Sequence, residues 1–89
     1  MDTQRLAGRK ALITGGAQGM GAAIAVHWAA QGAAVCVADL NEDGVAQVAA
    51  DIRAAGGQAT HFKLDVTSEE QAIAAVAHVV NEFGEINLL

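Results

Sequence analysis

The chain has 89 residues, a formal net charge of −5, a hydrophobic fraction of 53 %, no proline and one cysteine. This length allows one domain, and the apolar content excludes a disordered segment. The acidic balance, with few and scattered Lys and Arg residues, disfavours nucleic acid and membrane surfaces as partners. A lone Cys36 excludes a disulfide scaffold, and no apolar run reaches the length of a membrane span or of a secretory signal. We therefore expect a cytoplasmic protein.

Short apolar runs alternate with helical patterns along the chain. The runs near 10–14 and 34–38 predict buried strands, and the run near 59–64 predicts a third strand. Between and after them the pattern predicts three helices, over 22–31, from the Asn41 cap to Gly56, and from a Thr67-Ser68-Glu69-Glu70 capping box to Gly84. A fourth strand is expected to open over 86–89. This alternation predicts an α/β fold, a parallel sheet with helices on both faces.

The third helix carries apolar residues at helical spacing. We expect them to form the stripe that faces the sheet, namely Ile73, Val76, Ala77, Val80 and Phe83.

The stretch 14–21, Thr-Gly-Gly-Ala-Gln-Gly-Met-Gly, joins the first strand to the first helix. Its glycines allow left-handed φ angles and let a ligand come close to backbone N–H groups. The first turn of the helix leaves N–H donors unpaired at the positive end of its dipole, which suits a pyrophosphate. The stretch lacks the Lys-Ser or Lys-Thr of a P-loop and the third glycine of G-x-G-x-x-G.

What the stretch does contain is the pattern T-G-x-x-x-G-x-G, followed downstream by carboxylates at two strand ends. The matching residues are Thr14, Gly15, Gly19, Gly21, Asp39, Asp65 and Val66. On these motifs the whole chain resembles the short-chain dehydrogenase/reductase family. The resemblance implies a Rossmann-like, doubly wound parallel sheet of strand order 3-2-1. Residues 1–89 would then be the amino-terminal, dinucleotide-binding half of an oxidoreductase, cut at the start of the fourth strand.

The resemblance also implies roles for individual residues. The pyrophosphate would lie on the glycine turn, at Gly15, Gln18, Gly19, Met20 and Gly21. The adenosine ribose would be bound by Asp39 and Leu40. The adenine would be flanked by Asp65 and Val66.

Asp39 also predicts the cofactor from its own chemistry. A carboxylate at a strand end about 20 residues past the glycines can accept hydrogen bonds from both ribose hydroxyls. A 2′-phosphate about 4 Å away would be repelled by on the order of 4 kcal/mol. Leu40 and Gln18 supply no cation to offset this repulsion, so we predict NAD rather than NADP. The alternative is that Asp39 and Asp65 only form turns.

Catalytic residues of the family are missing. The resemblance would require a Ser and a Tyr-x-x-x-Lys, but the chain has no tyrosine, and its one serine, Ser68, belongs to the start of a helix. The histidines share no metal-ligand spacing with Cys36, so no metal site is predicted. We expect these 89 residues to be inactive alone.

Two other interpretations remain open. The chain could be a structural half-domain that self-associates or docks on the missing carboxyl-terminal half, because the first strand would present an unpaired edge. Alternatively, the same fold could bind S-adenosylmethionine, FAD or a nucleotide sugar.

Overall fold

The fold is described by a computed structural model over residues 6–86. Its parallel sheet has the order β1-β2-β3, formed by β1 (Lys10–Thr14), β2 (Ala34–Asp39) and β3 (Gln58–Lys63). The helices of this region are α1 (Gly19–Ala30), α2 (Glu42–Ala54) and α3 (Glu69–Phe83). The predicted α/β fold and strand order are confirmed. The predicted fourth strand, 86–89, falls outside the described residues except for Ile86, which is not in a strand.

The central strand β2 separates two apolar clusters. Residues 34–38 are all buried, and their side chains alternate between the two faces of the sheet. One cluster joins β1 and β2 to α1 and α2 through Ile13, Val35, Val37, Val45 and Ile52, among others. The other joins the opposite face to α3 through Leu12, Cys36, Leu64, Ala75 and Val79. Helices therefore cover both faces, as the doubly wound prediction requires.

Cys36 lies in the centre of β2 with its side chain fully buried. Burial, assisted by the negative charge of Glu82, raises the pKa of this thiol to about 12. The neutral thiol is a poor nucleophile, so Cys36 acts as a small core residue.

The first helix begins earlier than its alanine-rich pattern predicts. It starts at Gly19 rather than at Ala22, so two glycines of the turn belong to its first turn. Gln18 before it is extended, and Gly19 has a φ of 63°. A residue with a left-handed φ angle lets the chain pass directly from an extended residue into the helix. The periodicity of the side chains could not indicate this early start.

The predicted buried stripe of α3 is wrong. Ala75 and Val79 face the sheet, whereas Ile73, Val76 and Val80 remain 63 %, 37 % and 42 % exposed. Ala77 is exposed as well and Phe83 is half-buried. Apolar residues lie on two sides of α3. The side with the smaller residues faces the sheet, because small side chains allow a close approach.

The larger residues of α3 lie on one flank of the helix. Successive residues are rotated by about 100°, so Ile73, Val76 and Val80 project away from His78. Because His78 contacts Thr60 and Phe62 of β3, this flank is turned away from β3, toward the side of β1. We call these three residues the α3 stripe.

The caps of the last two helices differ in how well they were predicted. Asn41 caps α2 as expected, since its Oδ1 accepts a hydrogen bond from the Gly44 N–H at 3.0 Å. The expected box from Thr67 to Glu70 is wrong by one residue. Ser68 is the cap of α3, and its Oγ accepts from the Gln71 N–H at 3.2 Å. Thr67 is instead bound to Asp65.

Candidate functional site

The predicted cofactor residues converge on one edge of the sheet. Thr14 is paired with Ala38, and Asp39 with Lys63, so the carboxyl ends of β1, β2 and β3 lie side by side. Two hydrogen bonds tie these ends together, from the Gly16 N–H to the Ala38 carbonyl at 3.1 Å and from the Leu64 N–H to the Asp39 carbonyl at 2.9 Å. The three predicted segments leave the sheet from this edge, which is where ligands bind in open parallel sheets.

The glycine turn depends on residues without a side chain. Gly15 and Gly19 have φ angles of 66° and 63°, in the left-handed region. At Gly21 a Cβ atom would collide with the Gly15 carbonyl group, whose carbon would be 2.8 Å away. The turn therefore folds back on the first turn of α1, and only glycine permits that contact.

The amino end of α1 is open to a ligand. Gln18 precedes α1 and makes no side-chain capping hydrogen bond within residues 6–86. The first turn of α1 contains no acidic residue. No acidic side chain of the first turn therefore competes for its N–H groups, and the helix dipole adds positive potential. This arrangement can bind an anion, and the fit with a pyrophosphate is good.

Three of the predicted residues are large, apolar and exposed. Met20, Leu40 and Val66 are 79 %, 61 % and 66 % exposed, and each lies in a different one of the converging segments. Apolar side chains that are exposed to solvent around a polar site can pack against the flat faces of a bound nucleotide.

Asp39 connects the end of β2 to the glycine turn. Its Oδ2 accepts a hydrogen bond from the Ala17 N–H at 3.4 Å, and its Oδ1 accepts from the Asn41 N–H at 3.1 Å. The second bond is the turn-forming contact of the alternative interpretation. A carboxylate has about four acceptor sites, so two bonds leave capacity for ribose hydroxyls.

Asp65 is held in a turn of its own. Its Oδ1 accepts from the Thr67 Oγ1 at 2.6 Å and from the Thr67 N–H at 2.9 Å. These two bonds, the hydroxyl first, lower the pKa of the Asp65 carboxyl. The Asp65 carboxylate therefore stays ionised and oriented beside Val66. The backbone N–H of Asp65 donates to Gln71 Oε1 at 2.8 Å.

Two further glycines shape the site, and sequence reasoning gave them too small a role. A Cβ at Gly16 would lie 3.0 Å from the Val37 Cβ, under the turn. A Cβ at Gly44 would lie 2.8 Å from the Ala17 Cβ, between α2 and the turn. The only sequence signal for Gly44 was a residue of poor helix propensity in the first turn of a helix.

Other features of the described region lie away from this edge. A cleft of about 590 Å³ opens at the amino ends of the strands, beside Lys10, Gly32, Asp51 and Gln58. It contains none of the predicted cofactor residues. Between Leu6 and Ile86, no group of three His, Cys, Asp or Glu side chains could hold a metal ion. In the same range, no helix is both long enough and apolar enough to cross a bilayer.

Curated proteins similar to this chain include dehydrogenases. The chain is 51 % identical over 85 residues to a 2,5-dichloro-2,5-cyclohexadiene-1,4-diol dehydrogenase of Sphingobium indicum, covering 96 % of this chain and 34 % of that protein. It is 38 % identical over 88 residues to the 7alpha-hydroxysteroid dehydrogenase of Escherichia coli, covering 99 % of this chain and 34 % of that protein. The chain thus spans about a third of the length of these relatives.

The fold comparison agrees with the sequence comparison. A crystal structure of hydroxysteroid dehydrogenase from Escherichia coli superimposes with a TM-score of 0.95 at 38 % identity, covering 99 % of this chain and 37 % of that one. The model of the family described as short chain dehydrogenase matches residues 9–89. The chain therefore belongs to the short-chain dehydrogenase family of oxidoreductases.

Proposed function

We propose that residues 1–89 are the amino-terminal, NAD(H)-binding portion of a short-chain dehydrogenase. The observation that carries the proposal is the junction between Asp39 and the glycine turn, where a carboxylate meets the Ala17 N–H at 3.4 Å. The proposed anion site and a carboxylate that can accept hydrogen bonds from ribose hydroxyls are thereby adjacent, which supports dinucleotide binding.

Each part of the cofactor has a proposed position. The pyrophosphate lies on the turn and the amino end of α1, at Gly15, Gln18, Gly19, Met20 and Gly21. The ribose is bound by Asp39, with Leu40 beside it. The adenine lies between Asp65 and Val66, in reach of an ionised carboxylate and an apolar surface.

Hydride transfer needs groups that this chain does not contain. The bound dinucleotide would supply or accept the hydride, but the chain has no tyrosine to act as an acid, and its one serine, Ser68, caps α3. We therefore propose that these residues bind the cofactor and that residues outside them carry catalysis and substrate selection.

Calorimetric titration of the purified chain with NAD tests the binding role. We expect saturable binding in the wild type and a loss of at least about tenfold in Asp39→Ala, because two charge-assisted hydrogen bonds to the ribose disappear. The control is Asp51→Ala, which removes a carboxylate of α2 at the other end of the sheet. This variant should bind NAD as the wild type does.

No heat from a folded sample, or equal binding by both variants, would contradict the proposal. A stronger response to S-adenosylmethionine or FAD would instead favour another ligand on the same fold.

A second candidate function is self-association with another copy of the chain. Over residues 11–14, β1 pairs with β2 along one edge, and no strand within residues 6–86 pairs with the opposite edge of this segment. The α3 stripe, Ile73, Val76 and Val80, is exposed on the same side of the molecule. A strand edge next to an apolar helix flank is a surface on which a second copy can add strands.

Sedimentation equilibrium tests this candidate. We expect a dimer at high concentration and a monomer in Ile73→Glu, since burying that side chain contributes about 1.5–3 kcal/mol. Val26→Glu on α1 is the matched control, because Val26 is 50 % exposed on the opposite face and should leave the dimer intact. A monomeric wild type at high concentration would exclude the candidate.

A further inference from the structure

A closed ring of contacts joins the glycine turn to the start of α2. The Ala17 N–H donates to Asp39 Oδ2 at 3.4 Å, and the Asn41 N–H donates to Asp39 Oδ1 at 3.1 Å. Asn41 Oδ1 accepts from the Gly44 N–H at 3.0 Å. Gly44 then lies against Ala17, which closes the ring.

The contact between Gly44 and Ala17 leaves no room for a side chain. A Cβ at position 44 would lie 2.8 Å from the Ala17 Cβ and 2.7 Å from the Asn41 Nδ2. The Asn41 amide is the end of a rotatable side chain and can turn aside. The Ala17 Cβ is fixed to the backbone of the turn, so relieving that collision requires the turn and α2 to move apart.

We propose that Gly44 is a positioning residue for the dinucleotide site. Because it has no side chain, α2 approaches the turn closely enough for the Ala17 N–H to reach the Asp39 carboxylate. The ring thereby fixes the position of Asp39 relative to the N–H groups at the start of α1. This inference rests on the proposed function and adds a residue that does not itself touch the cofactor.

The variant Gly44→Ala should weaken NAD binding by about tenfold or more. The added methyl group displaces Ala17, and the displaced turn no longer presents its N–H groups at the right distance from Asp39. Alanine is a better helix former than glycine, which offsets a loss of the Asn41 cap, and circular dichroism of the variant checks that α2 is retained.

Gly57→Ala is the matched control. Gly57 follows the other end of α2, and a Cβ there would also meet a side-chain carbon at 2.8 Å, the Ile52 Cγ2. Neither Gly44 nor Gly57 has a positive φ angle. We expect Gly57→Ala to lower the melting temperature without changing the affinity of the folded protein for NAD.

The double variant Ala17→Gly/Gly44→Ala tests the contact itself. Removing the Ala17 methyl group gives the new methyl group its space, so affinity should return to within about threefold of the single variant Ala17→Gly. Unchanged affinity in Gly44→Ala, or no recovery in the double variant, would overturn the inference.

A second readout does not depend on the cofactor. In the wild type, the NMR shift of the Ala17 N–H should be coupled to the identity of residue 39 and change in Asp39→Asn, because the two groups are hydrogen-bonded. This coupling should vanish in Gly44→Ala and return in the double variant, and its persistence in Gly44→Ala would overturn the inference. A wild type that shows this pattern but does not bind NAD would contradict the proposed function alone.

Discussion

Gly21→Ala should abolish NAD binding and strongly destabilise the fold. A Cβ at this position would collide with the Gly15 carbonyl group and would lie 3.2 Å from the Gly16 Cα. All of these atoms belong to the backbone of the turn, so no side-chain rotation can relieve the collision. We expect a loss of about 3 kcal/mol, which is large compared with the 5–15 kcal/mol that stabilises a typical domain.

Urea unfolding followed by circular dichroism measures the stability, and calorimetry measures the residual binding. Gly56→Ala is the control, since Gly56 has a φ of 94° but nothing within 4 Å of an added Cβ. It should lose only the conformational term of about 1–2 kcal/mol and keep NAD binding. If Gly21→Ala binds NAD as well as Gly56→Ala does, the turn is not closed against α1 in the way described.

The chain should bind NAD at least about 100-fold more tightly than NADP. A 2′-phosphate about 4 Å from the Asp39 carboxylate would be repelled by on the order of 4 kcal/mol, and exposure to salt reduces this to about 3 kcal/mol. Such a difference corresponds to a preference of two orders of magnitude or more. Because screening weakens the repulsion, the preference should shrink as the salt concentration rises.

The variant Asp39→Asn separates charge from shape. It keeps the size of the side chain but removes its charge, so the affinity for NADP should rise while that for NAD falls. Lys63 is the cation to test against this prediction, because it is paired with Asp39 in the register of the sheet. Equal binding of NAD and NADP by the wild type, with an NAD preference restored in Lys63→Ala, would mean that Lys63 neutralises the phosphate.

Local patterns predicted the parts of the fold that local forces determine. The continuous apolar runs of β1 and β2 predicted buried strands, and Asn41 was a correct cap because its bond reaches only three residues along the chain. Thr67 was misjudged because Ser68 next to it offers the same hydroxyl, and only the engagement of Thr67 by Asp65 separates them.

The remaining errors involve packing between distant segments. The α3 stripe was expected to be buried because hydrophobicity does not reveal which flank of a helix meets the sheet. The tight contact between Ala17 and Gly44 joins the turn before α1 to the first turn of α2, and no spacing rule links these two residues. The glycine in the first turn of α2 was evident from the sequence. The contact that requires it, with Ala17, comes from a turn earlier in the chain.

The register of the sheet has a consequence for how the protein folds. Lys10 is paired with Ala34, and Ala34 with Gln58, so each crossover advances the chain by the same number of residues. Every strand pairing in the described sheet therefore closes a loop of equal and moderate length, and none waits for a remote segment. A nascent chain can therefore add these strands one at a time, so that the carboxyl ends of β1 and β2 come together before β3 has been synthesised.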